Sequence, residues 1–389
     1  MYQWTIAAVR SFLMYRRMIA TVPWMLVLAI ACALAADEPA DSSIDANAYA
    51  QAVDRAIDFL QNKAQSPDGS YAANKGPGVT AVVTVAILRH GRTPNDPLVA
   101  KSLKYLEGFV QPDGAVSLKD SVYRNYETSL ALVCFAEANR DGRYNKLIRN
   151  AENFLKKNQW TEAQGQDKAS PNYGGAGYGK KMRPDLSNTH FLVDALRAAG
   201  AGPNDEAMQK ALVFVSRCQN LESQYNTLPP AAKNPDGGFY YTAAAGGESQ
   251  AGKTQSGGLR SYGSMTYAGL KSMIYAGVGP DDPRVKAAVK WIGQHYDLSS
   301  NPGMGPSGLY YYYHVFAKAL DAAGMKEIVG ADGKRHNWRR DLAAELLRRQ
   351  RPDGSWLNAD ARWLEGEPSL VTGYVLLALS YCKPAAEKP

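Results

Sequence analysis

The chain has 389 residues, 45% hydrophobic and 21% charged, with 44 Lys and Arg against 37 Asp and Glu. This composition excludes a disordered or low-complexity chain, and the formal charge of +7 shrinks once a basic leader carrying Arg10, Arg16 and Arg17 is set aside. No run of five Lys or Arg occurs, so no nucleic-acid partner is expected.

Residues 1–36 have the layout of a signal peptide: the three arginines precede an apolar run from Ile19 to Leu34, and Ala33-Leu34-Ala35 is followed by Asp37-Glu38. An uncleaved anchor needs a longer apolar span, and Cys32 stands in a poor lipoprotein pattern, with alanine where leucine is usual. The chain is therefore expected to be exported to the periplasm or beyond, with association to a membrane surface left open. Residues 37–47 read as a polar linker, 48–383 as one folding unit and 384–389 as a tail. The mature cysteines Cys134, Cys218 and Cys382 are odd in number and lie in helical patterns, which favours buried thiols over a disulfide framework.

The folding unit repeats a helix pair six times. Counting back eleven residues from Gly91, Asn139, Gly200, Gly277, Gly324 and Lys383 reaches Thr80, Thr128, Thr189, Thr266, Tyr313 and Thr372. The first helix of each pair carries one apolar stripe, as Val53, Ile57 and Leu60 do, opposite a charged face, which suits an outer helix. The second helices, such as Val79 to Leu88 and Leu370 to Tyr381, are apolar nearly all round and read as inner helices starting near Pro77, Tyr123, Asp185, Arg260, Gly308 and Glu367. Pro-Asp-Gly at 67–69, 112–114, 235–237 and 352–354 specifies the same tight turn between them. The expected fold is all-α, an (α/α)6 toroid closed by the sixth pair against the first.

The turn grows into Gln65-Ser66-Pro67-Asp68-Gly69-Ser70-Tyr71 and Gln350-Arg351-Pro352-Asp353-Gly354-Ser355-Trp356. These resemble the glutamine–tryptophan motif of the prenyltransferase and squalene-cyclase repeat family. That resemblance implies a central cavity ringed by the inner helices, with chemistry at their N-terminal ends. The stretch matching the protonating Asp-x-Asp-Asp-Thr of class II cyclases is Arg124-Asn125-Tyr126-Glu127-Thr128, where Tyr126 replaces the acid. No Asp-x-Cys occurs at the repeated positions, so the zinc of protein prenyltransferases has no ligand set, and no metal or cofactor is expected. The thioester sequence of another relative of the fold is missing as well.

Candidate catalytic residues are Glu127, His190 and His314, which flank the repeated position on three inner helices. The bland alternative is that they are polar inner-helix residues bonded to neighbouring loops. Tyr126, Asn188, Tyr262, Tyr267, Tyr310 and Tyr313 are the candidate ligand-binding residues, the tyrosines forming an aromatic wall suited to cations, sugars or an isoprenoid tail. The glycine-rich loop 237–258 reads as a lid over the mouth or as a disordered insertion. The expected function is an exported toroid holding an apolar or isoprenoid small molecule, with catalysis undecided. The alternatives are a carbohydrate-active toroid, a polysaccharide lyase or hydrolase using Glu127 and Asp185, and a non-catalytic protein-interaction module.

Overall fold

The computed structural model describes residues 44–179 and 182–384, which form one compact unit. The expected leader, most of the linker and nearly all of the tail lie outside the described residues. Twelve helices make six pairs. The outer ones are α1 (Ala46–Phe59), α3 (Pro97–Glu107), α5 (Asn145–Asn158), α7 (Glu206–Arg217), α9 (Pro283–Gln294) and α11 (Trp338–Arg348). The inner ones are α2 (Pro77–Arg89), α4 (Arg124–Ala138), α6 (Leu186–Ala198), α8 (Gly263–Tyr275), α10 (Leu309–Ala322) and α12 (Pro368–Ser380). A single helical turn at Pro229–Lys233, a π-helical turn at Leu60–Ala64, four short 3-10 turns and a two-stranded ribbon of β1 (Ile328–Val329) and β2 (Arg335–His336) are the other regular elements described.

Local signals set the helix starts. Asp45, Asp96, Asp205, Asp282 and Asn337 each accept a backbone N–H of the outer helix that follows, and Pro97 and Pro283 sit at first positions, where no N–H is needed. Inner helices are buried over most of their length: every residue from Pro77 to Leu88 is buried. Five of the six inner helices start at or next to the expected residue. The exception is α8, which begins at Gly263 rather than Arg260 because Tyr262 is still extended (φ −149°), its N–H donating to the Phe239 carbonyl.

Each inner helix packs on the next, α2 on α4, α6, α8, α10 and α12 in turn, and α12 returns to α2, so the ring is closed. Three repeated devices hold it. The repeated threonine accepts the backbone N–H that follows the turn: Tyr71 N–H reaches Thr80 Oγ1 at 2.9 Å, and the pairs Val116–Thr128, Ala176–Thr189, Phe239–Thr266 and Trp356–Thr372 match it at 3.0 to 3.2 Å. In the fifth pair Tyr313 substitutes, its hydroxyl donating to the Leu298 carbonyl.

The glutamine that ends an outer helix spans to the next outer helix. Gln65 donates to the Leu98 carbonyl at 2.8 Å, Gln159 to Ala207 at 2.9 Å and Gln219 to Arg284 at 2.8 Å, while Gln350 closes the seam by donating to Ala52 at 2.8 Å. The turn glycine then lies against that same helix. A Cβ on Gly114 would meet the Asn150 carbonyl oxygen at 2.5 Å, and one on Gly354 the Arg55 carbonyl carbon at 2.8 Å, at φ values of +93° and +88°. Gly174 does the same job at φ +83° in the third pair, where the turn reads Asn172-Tyr173-Gly174-Gly175. At the seam, the Tyr49 hydroxyl donates to the Leu379 carbonyl at 2.8 Å.

Candidate functional site

The helical repeat of about 3.6 residues turns only certain positions of an inner helix toward the ring axis. They lie two residues before the repeated threonine and about two, five and nine residues after it. At the first of these levels, and at the next, Tyr126, Phe191, Tyr311 and Tyr374 stand across the axis. Their rings pack edge-on or tilted, with centroids 5.3 Å apart for Tyr126–Phe191 and 6.0 Å for Tyr311–Tyr374. Desolvation pushes the Tyr126 hydroxyl above the ordinary phenol range, so this residue is no substitute for the acid of a class II cyclase.

Five residues beyond the repeated position, the axis-facing side chains are Val85, Val133, Asp194, Lys271, Lys318 and Leu377. One half of this layer is apolar and the other half is ionic. Asp194 Oδ2 accepts from Lys271 Nζ at 2.7 Å and from Lys318 Nζ at 2.8 Å. Lys271 Nζ also lies 2.9 Å from His190 Nδ1, whose Nε2 is 2.5 Å from the Tyr311 hydroxyl. When Lys271 is protonated, Nδ1 accepts from it and His190 donates through Nε2.

Burial opposes the charge on Asp194, yet the two ammoniums outweigh it and hold the carboxyl well below its usual range. Burial likewise opposes the charge of Lys318, and Asp194 outweighs it, so this amine stays protonated. Lys271 goes the other way: desolvation, reinforced by the charge of Lys318, brings it down to about 7 despite Asp194. His190, desolvated and beside Lys271, is lowered to about 3, and burial holds His314 well below the usual imidazole range too. The cluster is thus one carboxylate, one firm ammonium, one soft amine and two neutral imidazoles.

Two connected spaces adjoin it. A neck of about 40 Å3 is lined by Val82, Val85, Leu130, Val133 and Leu377 with Asp194, His314 and Lys318. A vestibule of about 400 Å3 lies beyond, walled by Glu137, Arg197, Tyr275 and Tyr381, and shares Arg89, Val133, Asp194 and Lys318 with the neck. Arg89 donates to the Tyr381 hydroxyl at 2.7 Å and pairs with Glu137 at 3.2 Å. These wall residues lie on the last turns of inner helices, so the site opens at their C-terminal ends. The expectation of an N-terminal opening is corrected: large aromatic rings occupy the axis at that end, whereas Val133, Ala136 and Ala198 leave room at the other.

The structure scatters the sequence-derived candidates. His314 borders the neck, stacked 5.8 Å from Tyr374, and His190 lies behind it through Lys271. Glu127 is buried at the N-terminal side, accepting from Leu118 N–H at 3.2 Å and Ser121 Oγ at 3.1 Å. Desolvation raises its carboxyl above the ordinary range. Asn188 donates to Asp185, the cap of α6, at 2.7 Å; burial pushes that carboxyl up to about 6. Tyr267 packs on Tyr312 and Phe316, and Tyr310 and Tyr313 pack on each other on the side of α10 away from the axis. Tyr262 is buried where α8 begins. In the tyrosine run it is Tyr311 that turns inward, two residues before the repeated position.

Asp194, Lys271, Lys318 and Arg89 were missed. The available signal for the first three was a charge in the middle of an inner helix, five residues past the repeated position, in three consecutive pairs. Loop 237–258 is an ordered cover on the N-terminal side, pinned by Thr242 Oγ1 to the Pro184 carbonyl at 2.7 Å and by the pairing of Thr242 with Glu248. Among the described residues no three His, Cys, Asp or Glu side chains gather as a metal site, and no helix is long and apolar enough to cross a membrane. Among the described residues, Cys134, Cys218 and Cys382 are free and buried, as expected.

The sequence matches no family model, and no curated protein resembles it closely enough to count as a relative. Among solved structures, a glycosyl hydrolase of family 88 from Bacteroides vulgatus is similar with TM-score 0.52 at 11% identity, covering 86% of this chain and 98% of its own. A protein from Actinoplanes has TM-score 0.49 at 18% identity, covering 86% and 99%. The type II terpene cyclase MstE from Scytonema has TM-score 0.31 at 14% identity, covering 86% and 98%. At such identities the likeness extends to the α/α-toroid fold and no further.

Proposed function

We propose that this chain is an exported, squalene-cyclase-like toroid that binds a small amphipathic molecule at the C-terminal mouth of its ring, with no reaction assigned. The observation that carries the reading is the continuous funnel, apolar at its inner end and charged at its outer end. The neck has room for about three water-sized groups, which suits an apolar or isoprenoid tip and not a whole isoprenoid chain. The rest of the ligand belongs in the vestibule, whose volume falls in the range of small-molecule sites.

Native mass spectrometry of gently purified protein tests this. The wild type should carry a small molecule that Val133→Trp, which fills the neck, excludes at unchanged melting temperature. A Val133→Trp protein that keeps the same molecule refutes the funnel as its site.

The carbohydrate-active reading has less support. Its carboxyls, Glu127 and Asp185, are raised by burial as a general acid requires, but neither lines the neck or the vestibule. A protein-interaction role draws on a different observation, the exposed apolar patch of Leu118, Val122, Tyr123 and Met182 on the N-terminal side. A photo-crosslinker at Val122 that yields only the monomer band in cells would remove it.

A further inference from the structure

We infer that the ligand of this mouth carries a single carboxylate, held between Arg197 and Lys318 with its apolar end in the neck, and that its arrival draws a proton onto the buried cluster. The inference rests on the small-molecule reading above and names the class of molecule.

Charge balance at the wall is the first ground. Arg89, Arg197 and Lys318 face Glu137 and Asp194 across the vestibule, leaving one positive charge in surplus. Arg89 is already engaged by Glu137 and Tyr381. Arg197 lies 4.4 Å over the Tyr275 ring and has no carboxylate within ion-pair distance among the described residues. Lys318 spends one N–H on Asp194 and has two more to give. Two donors on one wall, with one uncompensated charge, fit a monoanion.

A dianion is disfavoured by the same wall. The inner helices end here, and their C-termini carry partial negative charge that adds to Glu137 and Asp194. A phosphate dianion would meet that field with twice the charge of a carboxylate, for the same two donors.

The second ground is independent of charge. Asp194 Oδ1 and His314 Nδ1 are buried, belong to residues lining the neck, and have no partner in the chain. Buried polar atoms in that condition cost about 1–3 kcal/mol each, whereas a hydroxyl beside the carboxylate would donate to the first. A short branched hydroxy acid therefore supplies a donor to Asp194 Oδ1 while its branched end occupies the apolar neck.

The proton follows from what surrounds Lys271. Facing it are His190 and Asp194 from α6, His314 and Lys318 from α10 and Tyr275 from its own helix, with Arg197 further out. Only Asp194 among them is anionic, so a second negative charge favours the ammonium form of an amine that desolvation leaves near 7. No bond is made or broken; solvent supplies the proton.

The probes are 2-hydroxy-3-methylbutanoate and its methyl ester, titrated calorimetrically at about pH 8 in two buffers of different ionisation enthalpy. The acid should bind at least about tenfold tighter than the ester and with net proton uptake. Lys318→Met, which leaves Asp194 paired with Lys271, and Arg197→Gln should each erase most of that preference while sparing the ester. Lys271→Met should abolish the uptake and keep the binding.

Equal affinity for acid and ester, blocked by Val133→Trp, overturns the carboxylate and leaves the small-molecule site standing. Tight binding of the acid without proton uptake overturns the coupling. Binding of neither probe to folded wild-type protein overturns the inference, and if no molecule co-purifies either, the small-molecule reading falls with it.

Discussion

Replacing Gly354 by alanine tests how the ring is closed. The residue sits at φ +88°, where an alanine costs about 1–2 kcal/mol on backbone grounds alone. Its new Cβ would also stand 2.8 Å from the Arg55 carbonyl carbon, so the turn must retreat from α1. Retreat strains the two bonds by which Gln350 joins the seam, to Ala52 at 2.8 Å and to the Gly354 carbonyl at 3.0 Å. An amide left partly unsatisfied there adds about 1–3 kcal/mol, for a total of about 2–5 kcal/mol. Gly200 is the control: its φ is +99°, yet nothing lies within 4 Å of an added Cβ, so Gly200→Ala carries the backbone cost of about 1–2 kcal/mol alone. Urea unfolding of both variants against wild type, with slopes checked for equality, measures the difference. Equal losses would mean that the seam does not depend on the close approach of turn to helix.

Thr128→Val keeps the shape of the side chain but removes the acceptor of the Val116 N–H, and should cost about 1–3 kcal/mol in the same unfolding assay; a neutral result would make the repeated threonine a packing residue. Glu127→Gln should destabilise by about 1–2 kcal/mol through the Leu118–Ser121 loop and leave binding at the mouth unchanged; loss of ligand at unchanged melting temperature would put Glu127 in the site. Lys271 gives stability a pH dependence. Between its folded value of about 7 and the ordinary lysine value of 10.5 the unfolded chain holds a proton that the folded chain has released, so unfolding takes up a proton and stability rises with pH until tyrosine ionisation in the unfolded chain reverses it. Lys271→Met should flatten the rise between about pH 7 and 10; an unchanged slope would assign it to other groups.

The fold was legible because its signals are local and repeated. Apolar stripes, Pro-Asp-Gly turns and threonines at constant spacing each fix a backbone feature within a few residues, and six copies average out the exceptions. The site was less so. Glu127, His190 and His314 were singled out by nearness in sequence to the repeated threonine, but that threonine points back toward the turn, not to the axis. Axis-facing positions are displaced from it by part of a turn, which is why Tyr311 and not Tyr310 or Tyr313 faces inward, and why Asp194, Lys271 and Lys318 share a level. Reading charges that interrupt buried helices, rather than polar residues near helix starts, would have found them. The end at which the ring opens depends on the size of side chains meeting across the axis from different pairs, and no single repeat contains that information.

The hydrogen bond from Tyr49 to the Leu379 carbonyl has a topological consequence. Because the first and last pairs are joined by the same glutamine and glycine devices as the first pair to the second or the fourth to the fifth, the ring has no intrinsic beginning. A gene in which residue 384 is linked to residue 44 and new ends are cut in the exposed loop at 119–123 should encode the same toroid. The place where the polypeptide starts is then an accident of history that the architecture does not record.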